Sequence, residues 1–128
     1  MKTIKLFAVL CCALVCAFTF SSCEKQTTAT YAVGLFDYGG GSSVIMDYAA
    51  IENYLTSKGC PVADTWIIKD ASLEKCDQQA KAKFENLVKN LSREEIAEKV
   101  SDGFYFTYGC NRSKPEVATI GKWKYPAE

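Results

Sequence analysis

The sequence predicts an α/β (α+β) domain built on a single four-stranded mixed sheet, in the order β-α-β-α-(α)-β-β, with two long helices packed on it. Three observations lead there. Apolar residues alternate at a period of two in four short stretches and recur at steps of three and four in two longer ones. The two final strand patterns are separated by only Asn111–Pro115, the spacing of a hairpin. The stretch after Cys23 is about 106 residues, the size of one domain with one core.

The elements follow in order. Residues 31–37 (YAVGLFD) alternate Tyr31, Val33 and Leu35 against smaller neighbours and read as a strand. After the loop Tyr38–Ser43, Val44, Tyr48, Ile51 and Leu55 define a helix face. Ser42 or Ser43 stands ready to cap it, with Asp47 near the positive end of its dipole. Lys58-Gly59-Cys60-Pro61 ends that helix with a basic turn, a C′ glycine and a proline. Residues 65–69 (TWIIK) form a short strand, and Asp70 or Ser72 caps the next helix. There Leu73, Cys76, Ala80, Phe84, Leu87 and Leu91 give the strongest periodicity in the chain. Ser92-Arg93-Glu94-Glu95 is a capping box for a short helix through Val100, ended by Asp102-Gly103. Residues 104–110 and 116–124 are the hairpin strands.

The first 22 residues differ in kind. Lys2 and Lys5 precede an apolar run from Leu6 to Phe20, about 15 residues and too short to cross a ~30 Å hydrocarbon layer comfortably. A basic start, a short apolar stretch and small residues at its end mark a secretory signal. Cutting before Cys23 puts Ser22 at −1 but bulky Phe20 at −3, which an ordinary signal peptidase site does not favour. Phe20-Ser21-Ser22-Cys23 instead resembles the lipobox of bacterial lipoproteins, with Phe where Leu is commoner. The resemblance covers the first 23 residues. It implies that residues 1–22 are removed, that Cys23 becomes a lipidated N-terminus, and that its acyl chains hold the protein at a membrane of the bacterial cell envelope. The outer membrane is the expected one, with its periplasmic side and the cell surface both open. Residues 23–30 then read as lipidated terminus and polar tether, and residues 31–125 as the domain.

Composition narrows the chemistry. After Cys23 there are thirteen basic against fifteen acidic residues, a net charge near −2 and no footprint for nucleic acid. The chain has no histidine, which removes the usual general base near neutral pH and the commonest transition-metal ligand. Cys60, Cys76 and Cys110 are widely spaced, so the sequence indicates no metal site, no dithiol centre and no cofactor. Three reduced thiols, or one disulfide with Cys76–Cys110 as the chosen pair, are the alternatives. The element order resembles the core of thioredoxin-like proteins over most of residues 31–125. Missing are a C-x-x-C opening the first helix, a proline before the third strand and a last helix, so redox activity does not carry over.

Two stretches remain as candidate surfaces. Asp37, Gly39, Gly40, Gly41, Ser42 and Ser43 run from strand to helix, where exposed backbone N–H groups and the serine hydroxyls attract anions. The alternative is a plain turn with a serine cap. Phe104, Tyr105, Phe106, Tyr108, Trp123 and Tyr125 would form an aromatic platform for a glycan or protein if one sheet face were open, or a core if both were covered. The reading is a non-catalytic, membrane-anchored binding module whose partner is an envelope protein or a glycan. A small-ligand or enzyme domain using residues 37–43, and an inhibitor of an exogenous hydrolase, are the alternatives.

Overall fold

A computed structural model describes residues 26–127. The expected signal segment and Cys23 lie outside the described residues. The elements are β1 (Thr27–Gly39), α1 (Val44–Ser57), β2 (Ala63–Asp70), α2 (Leu73–Val88), α3 (Arg93–Ala97), β3 (Tyr105–Lys114) and β4 (Ala118–Tyr125). They make an α+β domain with one four-stranded sheet in the order β2-β1-β3-β4.

Every pairing in that sheet is antiparallel, which corrects the expected mixed sheet. The reason lies in two lengths. β1 has 13 residues and reaches about 40 Å, whereas the 14-residue α1 climbs only about 21 Å. Starting beyond Gly39, α1 returns the chain to mid-strand, where Ala63 pairs with Gly34 and Val62 accepts the Leu35 N–H at 3.0 Å. β2 then runs on down β1 from Gly34 to Thr27. A parallel crossover would have needed a helix long enough to pass the whole strand. The parallel pair of the fold is instead β2 and β3, each antiparallel to β1, which lies between them.

β1 also begins earlier than expected. Thr27–Thr30, taken as tether, pair with Asp70, Lys69, Ile68 and Ile67, and Ala29 is fully buried. A run of β-branched threonines fits a pleated strand once β2 pairs along it.

The helix ends follow local chemistry. Ser72 accepts the Lys75 N–H at 3.2 Å, and Ser92 accepts the Glu95 N–H at 3.3 Å. The end of α1 is a Schellman motif, with Cys60 N–H bonded to Leu55 O at 2.8 Å, Gly59 N–H to Thr56 O at 3.1 Å, and Gly59 at φ +81°. α3 stops at Ala97, three residues short of the expected end.

The core lies between the sheet and α2, which contacts all four strands. Tyr31 and Val33 of β1, Phe106, Tyr108 and Cys110 of β3, and Cys76, Ala80 and Phe84 of α2 form it. Ile51, Tyr54 and Leu55 of α1 join the same cluster. Phe84 stacks on Tyr108 at 6.0 Å, and a Cβ on Gly121 would stand 2.6 Å from the Phe84 ring, so glycine there admits the ring to the sheet. The alternate residues, including Ala32, Thr107, Gly109 and Asn111, face away from α2.

Candidate functional site

The register slips between Leu35 and Asp37, where β1 carries one residue more than β3. Such a bulge re-aims side chains, and here Phe36 and Asp37 both reach the face turned away from α2. Phe36 lies across Gly109, where an added Cβ would come within 3.3 Å of its ring. Beside it β3 and β4 set Thr107 opposite Lys124 and Gly109 opposite Lys122. Phe36, Asp37, Thr107, Asn111, Lys122 and Lys124 line most of a hollow of about 260 Å³ on this open face. One aromatic wall, a glycine floor, one carboxylate, an amide and two ammonium groups can bind a polar molecule that has one flat apolar face. They offer no paired acid and base.

The predicted anion loop is divided by the fold. Asp37 belongs to the open face. Gly39 lies under the Tyr105 hydroxyl, and Gly40 and Gly41 take left-handed φ values of +70° and +78°. A Cβ at Gly40 would stand 2.2 Å from Gly103 O, and one at Gly41 2.7 Å from Ser101 Oγ. The glycines are thus spent on docking the loop to the segment after α3. Ser42 N–H donates to Ser101 Oγ at 3.1 Å. Asp47, buried in the first turn of α1, accepts the Ser101 N–H at 3.1 Å as well as its hydroxyl proton. Ser43 is the N-cap of α1 but makes no side-chain cap bond. An anion here would find the Ser42 donor occupied and a carboxylate behind it. The partners Ser101 and Asp47 were not recognisable as a pair, because 54 residues separate them and neither type is distinctive.

Two further polar clusters tie elements together. Tyr54 donates to Glu95 Oε1 at 2.7 Å and accepts the Ser92 N–H at 2.9 Å, while Lys58 Nζ lies 3.2 Å from Glu95. Burial raises the Tyr54 hydroxyl, and the hydrogen bond from Tyr54, then that from Lys58, holds the Glu95 carboxyl below its ordinary value. They border an open hollow of about 780 Å³ between α1 and α3, where Tyr54, Lys58 and Glu95 are already partnered with one another. On the other side of the core Tyr31 donates to Asp77 Oδ1 at 2.7 Å, and Arg112 pairs with Asp77 Oδ2 and donates to Glu116 O at 2.8 Å. Burial is the main reason that the Tyr31 hydroxyl is raised.

Of the two alternatives for the cysteines, the structure has the reduced one, without a Cys76–Cys110 bridge: Cys60, Cys76 and Cys110 are buried free thiols. Cys76 Sγ lies against Thr27 O at 3.5 Å, whereas Cys110 pairs with Val33, six residues along β1. That is about 20 Å of strand, far beyond the ~6 Å Cα separation a disulfide spans. Burial lifts the Cys110 thiol to about 11 and raises those of Cys60 and Cys76.

The aromatic platform is mostly core. Phe104, Phe106 and Tyr108 are buried, and Trp123 and Tyr125 pack on Phe106 at 5.9 Å. Tyr105 alone of the six points to the open face and is half-exposed over Gly39; Phe36 of β1, which the sequence reading passed over, is the other half-exposed ring there. Among the described residues no group of three His, Cys, Asp or Glu is placed to hold a metal, and no helix is long and apolar enough to cross a membrane. No family model, no curated protein and no solved structure matches the chain.

Proposed function

We propose that this chain is a lipid-anchored protein of the bacterial cell envelope that binds a glycan, without catalysis, on the open face of its sheet. Cys23 carries the lipid after removal of residues 1–22, on the strength of the Phe20-Ser21-Ser22-Cys23 pattern. β1 starts only four residues later, so the domain stands within about 15 Å of the membrane surface.

The observation that carries the binding reading is the hollow under Phe36. A sugar ring presents a flat C–H face that packs on an aromatic ring and a rim of hydroxyls. Thr107, Asn111 and Lys122 can exchange hydrogen bonds with that rim. A partner protein remains the second reading for the same face, and the exposed rings of Phe36 and Tyr105 favour it.

The test uses a soluble form beginning at Glu24, titrated against envelope polysaccharide fragments by calorimetry. Saturable binding that Phe36→Ala weakens by tenfold or more is expected. Binding that Phe36→Ala leaves intact overturns the assignment of the site. For the anchor, Cys23→Ala is expected to lose the lipid mass and the membrane fractionation.

A further inference from the structure

The two edges of the sheet are built differently. At β4 the register slips opposite Cys110 and Asn111, and two lysines, Lys122 and Lys124, stand along the strand. The Arg93 side chain occupies the outward carbonyl of Lys124 at 2.9 Å. These are the usual devices that stop a strand edge from pairing. β2 carries its charges, Asp64, Lys69 and Asp70, at its ends: it pairs with β1 over eight residues without a slip, and Thr65–Ile68 contains neither charge, proline nor bulge.

The hydrogen-bond phase of β2 can be read from one bond. Leu35 N–H donates to Val62 O, and these two residues are in register with the β1·β2 ladder. Antiparallel pairs alternate between bonded and non-bonded, so Asp64, Trp66, Ile68 and Asp70 bond inward to β1. The N–H and C=O groups of Thr65, Ile67 and Lys69 therefore point outward. The Asp64 carboxylate accepts the Thr65 N–H at 2.9 Å, which confirms this phase and closes the edge at that end. The same three residues alternate with buried Trp66 and carry their side chains on the open face, where Ile67 is 68% exposed.

We infer that the β2 edge accepts an extended peptide segment of another protein, which adds as a fifth strand along Thr65–Lys69. Its main chain would bond to Ile67 and Lys69. Its side chains would alternate, with an apolar residue beside Ile67 and a carboxylate beside Lys69. A second copy of this chain fits less well. Two β2 strands paired about a two-fold axis through Ile67 would oppose Asp64 and Asp70 of the two copies. Like charges set directly opposite each other are destabilising in a sheet.

The test uses the full-length protein in detergent and, as probe, a nine-residue peptide alternating valine with threonine and glutamate. Its control is the same peptide N-methylated on alternate amides. Backbone exchange is followed by NMR. Expected is slowing of Ile67 and Lys69 amide exchange by about tenfold or more with the plain peptide, and no slowing with the methylated one. Ile67→Pro removes one outward donor without touching the β1 ladder and is expected to abolish the effect. Ile67→Lys, which places a charge on the edge, is expected to weaken it severalfold. No slowing at millimolar peptide, or equal slowing in Ile67→Pro, overturns the inference. Dimers in sedimentation that Ile67→Lys dissolves would replace the peptide with a second copy. Because Cys23→Ala leaves β2 unchanged, loss of the anchor and loss of peptide binding are separately visible.

Discussion

The two faces of the sheet use the same four strands in opposite ways. On the face toward α2, Tyr31, Phe106, Tyr108 and Cys110 are each at most 1% exposed and pack on Phe84 and its neighbours. On the other face stand Ala32, Thr107, Gly109 and Asn111, with Phe36 as the large apolar side chain over the β1–β3 pair. In β3 the two sets alternate residue by residue, so one strand supplies both a core and a surface. The lesson is that core and surface are separable here: a substitution one position along the strand changes which face is altered.

The sharpest way to break that contrast is on the covered side. Tyr108→Ala deletes a fully buried ring that stacks on Phe84 and donates to Pro61 O at 2.6 Å. Urea unfolding is expected to show a loss of about 3–5 kcal/mol, the range for emptying a buried aromatic site. Thr107→Ala, one residue earlier and on the open face, is expected to cost less than about 0.5 kcal/mol. Similar losses for the two variants would mean that the open face is covered in solution.

Next in size is the Tyr31–Asp77–Arg112 cluster, which ties α2 to β1 and β3. Asp77→Ala leaves the Arg112 guanidinium, buried among strands, with only the Glu116 carbonyl and a distant Glu116 carboxylate at 3.9 Å. The expected loss is about 2–3 kcal/mol, the scale of a charge-assisted bond removed from one side. Asp77→Ala combined with Arg112→Met is expected to recover part of it, since the orphaned charge goes too. A double variant no better than the single one would place the loss in packing.

The next measure is pH. Tyr31, Tyr54, Tyr108, Cys60, Cys76 and Cys110 all have raised values, in each case mainly through burial, and all belong to the helix-covered core. A raised acid is neutral in the fold and ionises first in the unfolded chain. Its contribution is therefore complete below its ordinary value and is lost as pH rises. For Cys110 that window runs from 9.0 to about 11. Melting temperature is expected to hold to about pH 9 and then fall. The same burial predicts that the thiols are inert to a thiol reagent at pH 8 in native protein and all react in denaturant. Finding a native disulfide by non-reducing peptide mapping would contradict the 20 Å offset of Cys76 and Cys110.

How far the sequence carries this contrast can be traced residue by residue. The apolar face of α2 was readable because Cys76, Ala80 and Phe84 repeat with helical spacing, and they are buried. The caps at Ser72 and Ser92 and the stop at Gly59 were readable because they satisfy backbone groups within a few residues. Strand direction was not, because it depends on comparing the reach of α1 with the length of β1, and the threonines that lengthen β1 look like tether until β2 pairs with them. The open-face hollow was hidden for a similar reason. Asp37 was noticed as an acid at a strand end, but it takes the bulge to bring Phe36 beside it and the β3–β4 register to bring Lys122.

A small stability effect paired with a large binding effect separates the two faces most cleanly. Phe36 is 46% exposed, so Phe36→Ala gives up only part of a ring's burial and leaves no closed cavity. About 0.5–1 kcal/mol is expected in urea, against several for Tyr108→Ala. If the hollow binds a glycan through that ring, the same substitution is expected to weaken binding by tenfold or more while the exchange of the β1–β3 amides stays unchanged. Gly109→Ala probes the floor from the other strand. Its Cβ would meet Gly121 O at 3.2 Å and the Phe36 ring at 3.3 Å, so both the β4 carbonyl and the ring must give by a few tenths of an ångström to admit it. Weaker glycan binding with little change in unfolding would assign Phe36 and Gly109 to recognition. A large loss of stability in Phe36→Ala would make the ring part of the core after all, and the open face would no longer be a separate surface.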